Sequence, residues 1–157
     1  MTEKAVKPAN KRGMARFAAV QALYQMDVGE TTLLETLSQF ETLDDSELEA
    51  ASYRDKDNAY FDLLVKGVVK SQTELDPAIH AILRDDWPLA RIDSLLRAIL
   101  RCGAFELLKR KDVPHAVAIN EYLDIAKAYF DKAEIALANG VLNRLAKQSG
   151  EKPVAQG

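Results

Sequence analysis

Residues 92–111 read IDSLLRAILRCGAFELLKRK, and this stretch decides the fold class. Ile92, Leu95, Leu96, Ile99 and Gly103 recur at intervals of three and four, the spacing of one helix face, with no strand-like alternation to compete. The stretch closes on Lys109-Arg110-Lys111, cations that suit a helix C-terminus. Just upstream, Asp85-Asp86-Trp87-Pro88 breaks the pattern, because a proline disfavours helical geometry at the residue before it. Leu75, Ile79, Ile82 and Leu83 form an earlier apolar stripe, and Phe61, Leu64, Val65 and Val68 form the one before that. Residues 42–57 are acidic and weakly periodic, the pattern of a loop or a marginal helix. Thr32-x-x-Glu35 has the form of a capping box leading into Leu33, Leu37 and Phe40. Phe17, Val20, Leu23/Tyr24 and Val28 space as the inward face of the first helix, with Gly29 as its stop.

Downstream of the opening stretch, Asp112-Val113-Pro114 starts a helix with Ala118, Ile119, Tyr122, Ala126 and Tyr129 inward. Asp131, with Glu134 three residues on, caps a last helix whose stripe is Leu137/Ala138, Val141, Leu142 and Leu145. That stripe runs through Asn139-Gly140, a hairpin dipeptide when strands flank it. A glycine inside a helix costs about 1 kcal/mol in propensity, which predicts a close backbone approach at Gly140. The expectation is an all-α protein of about seven helices in a single compact domain over residues 11–148. A flexible basic arm, 1–10, precedes it and a frayed tail, 149–157, follows.

Composition fits this reading. At 157 residues, 48% hydrophobic and 29% charged, the chain suits one soluble globular domain. No apolar run approaches the roughly 20 residues a membrane helix needs, so no membrane role is expected. The basic N-terminus lacks the apolar stretch of a secretory signal. A lone Cys102 forms no internal disulfide, and a reducing cytoplasm is the expected location.

The search for reactive chemistry excludes most classes. His80, His115 and one cysteine cannot supply a four-ligand metal site of the usual spacing. There is no nucleophile elbow, phosphate-binding loop or dinucleotide fingerprint. Asp44-Asp45 and Asp85-Asp86 read as solvated charges. Glu106 falls on an apolar helix face, where a carboxylate needs a partner. A structural bond to an arginine or to backbone N–H groups explains it better than catalysis does. The chain is expected to be no enzyme, without catalytic residues, metal or cofactor.

Charge is the more informative property. The net charge of −3 argues against nucleic acid, but residues 1–16 carry +4 and residues 27–57 carry −8. A basic arm on an acidic body points to a polyanion partner for the arm. The candidate RNA-binding residues are Lys4, Lys7, Lys11, Arg12 and Arg16, with Gln21 and Tyr24 following on the first helix. Arg12 and Arg16 stand one turn apart at what reads as the exposed start of that helix, suited to successive phosphates. Lys109, Arg110 and Lys111 extend the track if the fold brings them to the first helix. Arg97 and Arg101 are better explained as partners of acids such as Asp93 and Glu106.

These residues also carry a family resemblance. KRGMARFAAVQALYQMD, Phe61-x-x-Leu64-Val65-x-Gly67-Val68 and Trp87-Pro88-Leu89-x-Arg91-Ile92 resemble, in order, segments of the NusB family. So do Ile99-Leu100-Arg101-x-x-x-Phe105-Glu106-Leu107, Val113-Pro114-x-x-Val117-Ala118-Ile119-Asn120-Glu121, Ala126-Lys127 and Asn139-Gly140-Val141-Leu142. The resemblance implies a seven-helix fold of two helical subdomains. It implies binding of single-stranded boxA RNA from ribosomal RNA leaders together with NusE, a small-subunit ribosomal protein. It further implies action on the RNA polymerase elongation complex, which then reads through terminators. Two other readings are a helical scaffold that binds only protein through its acidic 27–57 face, and a detached RNA-binding domain of a ribosomal RNA cytosine methyltransferase. The latter requires a following Rossmann-like domain.

Overall fold

A computed structural model describes residues 11–41, 57–83 and 92–150, and the regular elements in them are all helices. They are α1 (Lys11–Gly29), α2 (Leu33–Glu41), α3 (Asn58–Ile82), α4 (Ser94–Lys109), α5 (His115–Tyr129) and α6 (Lys132–Ser149). The all-α expectation therefore holds, with six helices among the described residues rather than about seven. The expected arm (1–10), most of the acidic segment (42–56), the Trp87-Pro88 break and residues 151–157 lie outside the described residues.

Two stripes expected to be separate helices are one. Val68 and Leu75 are seven residues apart, two full turns, so their stripes share a face and both are buried in α3. Pro77 sits inside this helix and removes the N–H that would reach the Thr73 carbonyl. Burial of Leu75 and Ile79 on either side outweighs that loss. Asp57 caps the helix, accepting a bond from the Tyr60 N–H at 2.9 Å. At α2 the capping box forms as expected: Thr32 N–H donates to Glu35 Oε1 at 2.9 Å, and Glu35 N–H to Thr32 Oγ1 at 3.1 Å.

α4 is the central element. It packs on α1, α3, α5 and α6, and ten of its sixteen residues are buried, so it is wrapped on most sides rather than lying on a surface. Asp93 caps it through the Leu95 N–H at 2.8 Å. Two glycines mark its closest crossings. A Cβ on Gly67 of α3 would lie 2.6 Å from Phe105 Cε1, and one on Gly103 would lie 2.7 Å from Leu142 Cδ2 of α6. The Cys102 thiol on the same helix is fully buried, which pushes its pKa up and keeps it in the unreactive protonated form.

α1 departs in part from its expected orientation. Its buried face is built on Ala15, Ala18, Ala19 and Ala22 with Val20 and Leu23, whereas Phe17 and Tyr24 are half-buried and Val28 is 53% exposed. α1 touches α2, α3, α4 and α5, and small side chains let several helices approach it closely. Of the residues expected inward, Val20 and Leu23 are buried, Phe17 and Tyr24 are partly buried against the core, and Val28 alone is exposed. The helix ends at Gly29, as expected, and the left-handed residue after it is Glu30, at φ 57°.

Tyr129, expected inward on α5, is 44% exposed. Asp131 occupies the N-cap of α6 as expected, but its side chain makes no capping bond. Gly140 has no close approach: a Cβ there meets nothing within 4 Å. The expected contact is absent, so only the propensity penalty remains. Gly140→Ala is expected to stabilise the free chain by about 1 kcal/mol, read as a higher urea midpoint at unchanged slope. A loss of stability would show a constraint at this position other than packing.

Candidate nucleic-acid interface

The start of α1, the start of α3 and the end of α4 meet around one tyrosine. The Arg12 guanidinium lies 4.0 Å from the Tyr60 ring centroid, and that of Arg110 lies 5.6 Å from it. Asp112 joins them, 3.8 Å from Arg12 Nη1 and 3.0 Å from Arg110 Nη2. Lys11 and Lys111, neighbours of these arginines in sequence, are exposed. The fold thus brings the end of α4 to the first helix, as a continuous basic track requires. The Arg12 side chain keeps 42% of its surface, which leaves it accessible to a phosphate. Tyr60 organises this cluster and has no sequence signal of its own.

Arg16 is a correction. It was expected at an exposed helix start, but it is 3% exposed and belongs to the core. Its Nε donates to Glu106 Oε2 at 2.7 Å and its Nη2 to Glu106 Oε1 at 3.0 Å, a bidentate pair. Two hydroxyls complete the carboxylate's shell: Tyr60 donates to Oε1 at 2.9 Å and Tyr122 to Oε2 at 2.5 Å. Burial by itself would lower the Arg16 pKa, but the bond to Glu106 and its charge outweigh this and raise it. Burial, reinforced by Glu106, pushes Tyr60 up to about 12 and Tyr122 well above its ordinary value, so both remain donors. The buried glutamate therefore has the arginine partner expected of it, in a network that closes the base of the Tyr60 cluster.

The other basic residues divide. Lys109 pairs with Glu74 of α3 at 2.8 Å, and is thereby engaged apart from the Tyr60 cluster. Arg97 and Arg101 are ion-paired, as expected, but with Asp27 at 2.7 Å and Asp76 at 2.8 Å rather than with Asp93 and Glu106. Lys4 and Lys7 lie outside the described residues.

Gln21 and Tyr24 are half-buried on the outward side of α1. At 100° per residue Gln21 lies about half a turn round the helix from Arg12. The candidate phosphate contacts and base contacts thus fall on opposite sides of α1. On the second face Gln21 Nε2 donates to the Tyr129 hydroxyl at 3.0 Å, and the Tyr129 ring is near-parallel to Phe17, 10° between planes and 6.4 Å between centroids. Neither Phe17 nor Tyr129 was singled out from sequence, because both read as inward members of apolar stripes.

Among the described residues no group of His, Cys, Asp and Glu is placed to hold a metal ion, and no helix is long and apolar enough to cross a membrane. Comparison with known proteins is specific. The NusB family model matches residues 14–147. The transcription antitermination protein NusB of Rhizobium etli (strain CIAT 652) is 55% identical over 148 residues, 94% of this chain and 92% of that protein. That of Agrobacterium fabrum is 50% identical over 147 residues, covering 93% and 89%. Among solved structures, that of T. maritima NusB superposes with a TM-score of 0.71 at 29% identity, covering 90% of this chain and 93% of that one. A crystal structure of the antitermination factors NusB and NusE in complex with dsRNA gives 0.73 at 27% identity, covering 88% and 97%. A family match over nearly all the described helices, together with relatives 50% and 55% identical, places this chain in the NusB family.

Proposed function

We propose that this chain is a non-catalytic RNA-binding transcription antitermination factor. It binds boxA-type single-stranded RNA of ribosomal RNA leaders together with NusE, in the cytoplasm, and helps RNA polymerase read through terminators. The observation that carries the reading is the likeness, at a TM-score of 0.73, to a structure that holds NusB, NusE and RNA together. The gathering of Lys11, Arg12, Arg110 and Lys111 at one end of an acidic protein supports it. Phosphates are neutralised there and by Lys4 and Lys7 of the arm. Bases are met by Gln21 and Tyr24, with the strand crossing the start of α1. Arg16 holds the surface from beneath, and Lys109 stands at its margin.

Salt dependence tests this. A single strand loses about 0.7 in log–log slope per phosphate contact, so engagement of Lys4, Lys7, Lys11, Arg12, Arg110 and Lys111 gives about −4. Lys11→Ala with Arg12→Ala is expected to flatten the slope by about 1.4 and to lower stability by no more than about 1 kcal/mol, the worth of an exposed cation–π contact. Deletion of residues 1–10, which removes Lys4 and Lys7, flattens it by about 1.4 as well, while preference for boxA over a scrambled strand survives, because phosphate contacts position and base contacts specify. The RNA of the neighbouring structure is a duplex, so the titration includes a duplex arm. Tighter binding to duplex than to boxA strand, or slopes unchanged in both variants, overturns the assignment.

A further inference from the structure

The Tyr60 cluster contains one charge that its packing does not require. Arg12 and Arg110 stand over the Tyr60 ring, 4.0 and 5.6 Å from its centroid, so the ring attracts both guanidinium groups without help from a carboxylate. Asp112 nevertheless reaches both. Its Oδ2 lies 3.0 Å from Arg110 Nη2 and 3.8 Å from Arg12 Nη1, one oxygen divided between two cations rather than a two-point fork. The Asp112 side chain is 52% exposed, and an ion pair as wet as that adds little to stability. The local backbone does not use the carboxylate either. Asp112 lies in the turn between α4 and α5, which closes through the Val113 N–H donating to the Arg110 carbonyl at 3.3 Å. α5 has Pro114 at its N-cap, with no capping bond from a side chain. The Asp112 side chain is therefore able to rotate away from the arginines without disturbing a helix.

We propose that Asp112 is a built-in competitor for RNA: between Arg12 and Arg110 its carboxylate occupies the place of one backbone phosphate, and a bound strand displaces it. The inference rests on the RNA-binding reading above and deepens it by naming a residue that sets the affinity. A carboxylate and a phosphodiester each carry a single negative charge and accept hydrogen bonds from guanidinium groups. The phosphodiester prevails because its two non-bridging oxygens meet the two arginines separately, whereas Asp112 offers both the same oxygen. The displaced carboxylate, already half in water, returns to water easily. Every strand must break the same contacts, so Asp112 lowers affinity for all sequences alike and leaves selection to base contacts. A strand held by its charge alone is thereby released sooner.

Charge-neutral replacement tests this. Binding of the full chain to a boxA-like single strand and to a scrambled strand of equal composition is measured at one salt concentration. Asp112→Asn is expected to tighten both strands about threefold to fivefold, the upper range for a half-exposed ion pair. Asp112→Glu keeps the charge and is expected to stay within about twofold of the native protein. Loss of any acid raises affinity slightly through the field of the whole protein. Asp112→Asn is therefore repeated in an Arg12→Ala, Arg110→Ala background, where the gain is expected to fall below about 1.5-fold because no site is left to unblock. Should that background melt early, Arg12→Ala alone serves, with the gain reduced to about twofold or less. Thermal melting is the folding control, and Asp112→Asn is expected to melt within a few degrees of the native protein. An Asp112→Asn protein that fails to fold or binds RNA more weakly would make the carboxylate a support for the arginines and overturn the proposal. Unchanged affinity overturns it too, as does a gain that persists without the arginines. A gain confined to boxA would put a base at this place instead of a phosphate. If Lys11→Ala with Arg12→Ala still weakens RNA in those cases, only the role of Asp112 has failed. If the native protein binds neither strand, the RNA-binding reading has failed with it.

Discussion

Replacing Arg16 by alanine is expected to cost about 3–5 kcal/mol of stability, because it strands a buried carboxylate. Glu106 is 0% exposed and takes two of its hydrogen bonds from Arg16. Without the arginine it must either stay charged in a site that water does not reach or take up a proton, and each is unfavourable. The Tyr60 and Tyr122 hydroxyls supply two bonds but no charge. Glu106→Gln is the milder change, since it keeps the shape and an acceptor while leaving Arg16 near Glu121, 3.5 Å away. Arg16→Met combined with Glu106→Leu recovers part of the loss, as paired hydrophobic replacement of a buried ion pair commonly does. Recovery is incomplete because the two tyrosine hydroxyls lose their acceptor. Urea unfolding of Arg16→Met, Glu106→Leu and the double variant checks this, and the cycle is expected to report a coupling of about 2 kcal/mol or more. An Arg16→Ala protein within 1 kcal/mol of the native one would show the pair to be incidental. The same argument bears on function: RNA binding lost in an Arg16→Ala protein reports a damaged scaffold, whereas loss in an Arg12→Ala protein reports a missing contact.

The distinction was not legible in the sequence, and the reason is physical. Arg12 and Arg16 are the same residue type one turn apart near the start of one helix. What separates them is a carboxylate ninety residues away on α4. Local signals fared better. The Thr32–Glu35 box and the stripes of α3 and α6 depend on residues within a turn or two, and the structure has them where spacing put them. Spacing misled where it ranked residues by apolarity rather than size. On α1 it chose Val20 and Leu23 correctly, but a helix touching four others takes alanines at its closest contacts, so Phe17 is only partly buried and Val28 is exposed. The absence of any turn signal between Val68 and Leu75 was stronger evidence than division into two stripes, and the glycine in α6 has no packing role. The cation cluster at Tyr60 joins three helices that no local pattern relates.

Gly67→Ala is expected to destabilise the protein by about 2 kcal/mol, although the same change at Gly140 stabilises it. Both positions are inside helices, so both gain about 1 kcal/mol of propensity from the added methyl. At Gly140 that gain stands alone. At Gly67 the new carbon falls 2.6 Å from Phe105 Cε1 and closer still to Cζ, well inside van der Waals contact. Phe105 is buried on the central helix, with its neighbours in the core, so the ring cannot swing away without opening a gap elsewhere. Overpacking of this kind typically costs 1–3 kcal/mol, occasionally more, and a displaced aromatic ring at a helix crossing belongs at the upper end. Gly103→Ala is the intermediate case, because the clashing atom is a terminal methyl of Leu142, which a rotamer change can move. The expected order of stability is therefore Gly140→Ala, native, Gly103→Ala, Gly67→Ala, measured as urea midpoints under one condition. Propensity is common to all three variants, so the roughly 3 kcal/mol between the extremes reads the Phe105 contact directly. Trimming the ring tests the cause: Phe105→Leu in the Gly67→Ala background should restore stability relative to Gly67→Ala alone. If it lowers stability further instead, the strain lies in the α3 backbone and not in the packing of α3 on α4.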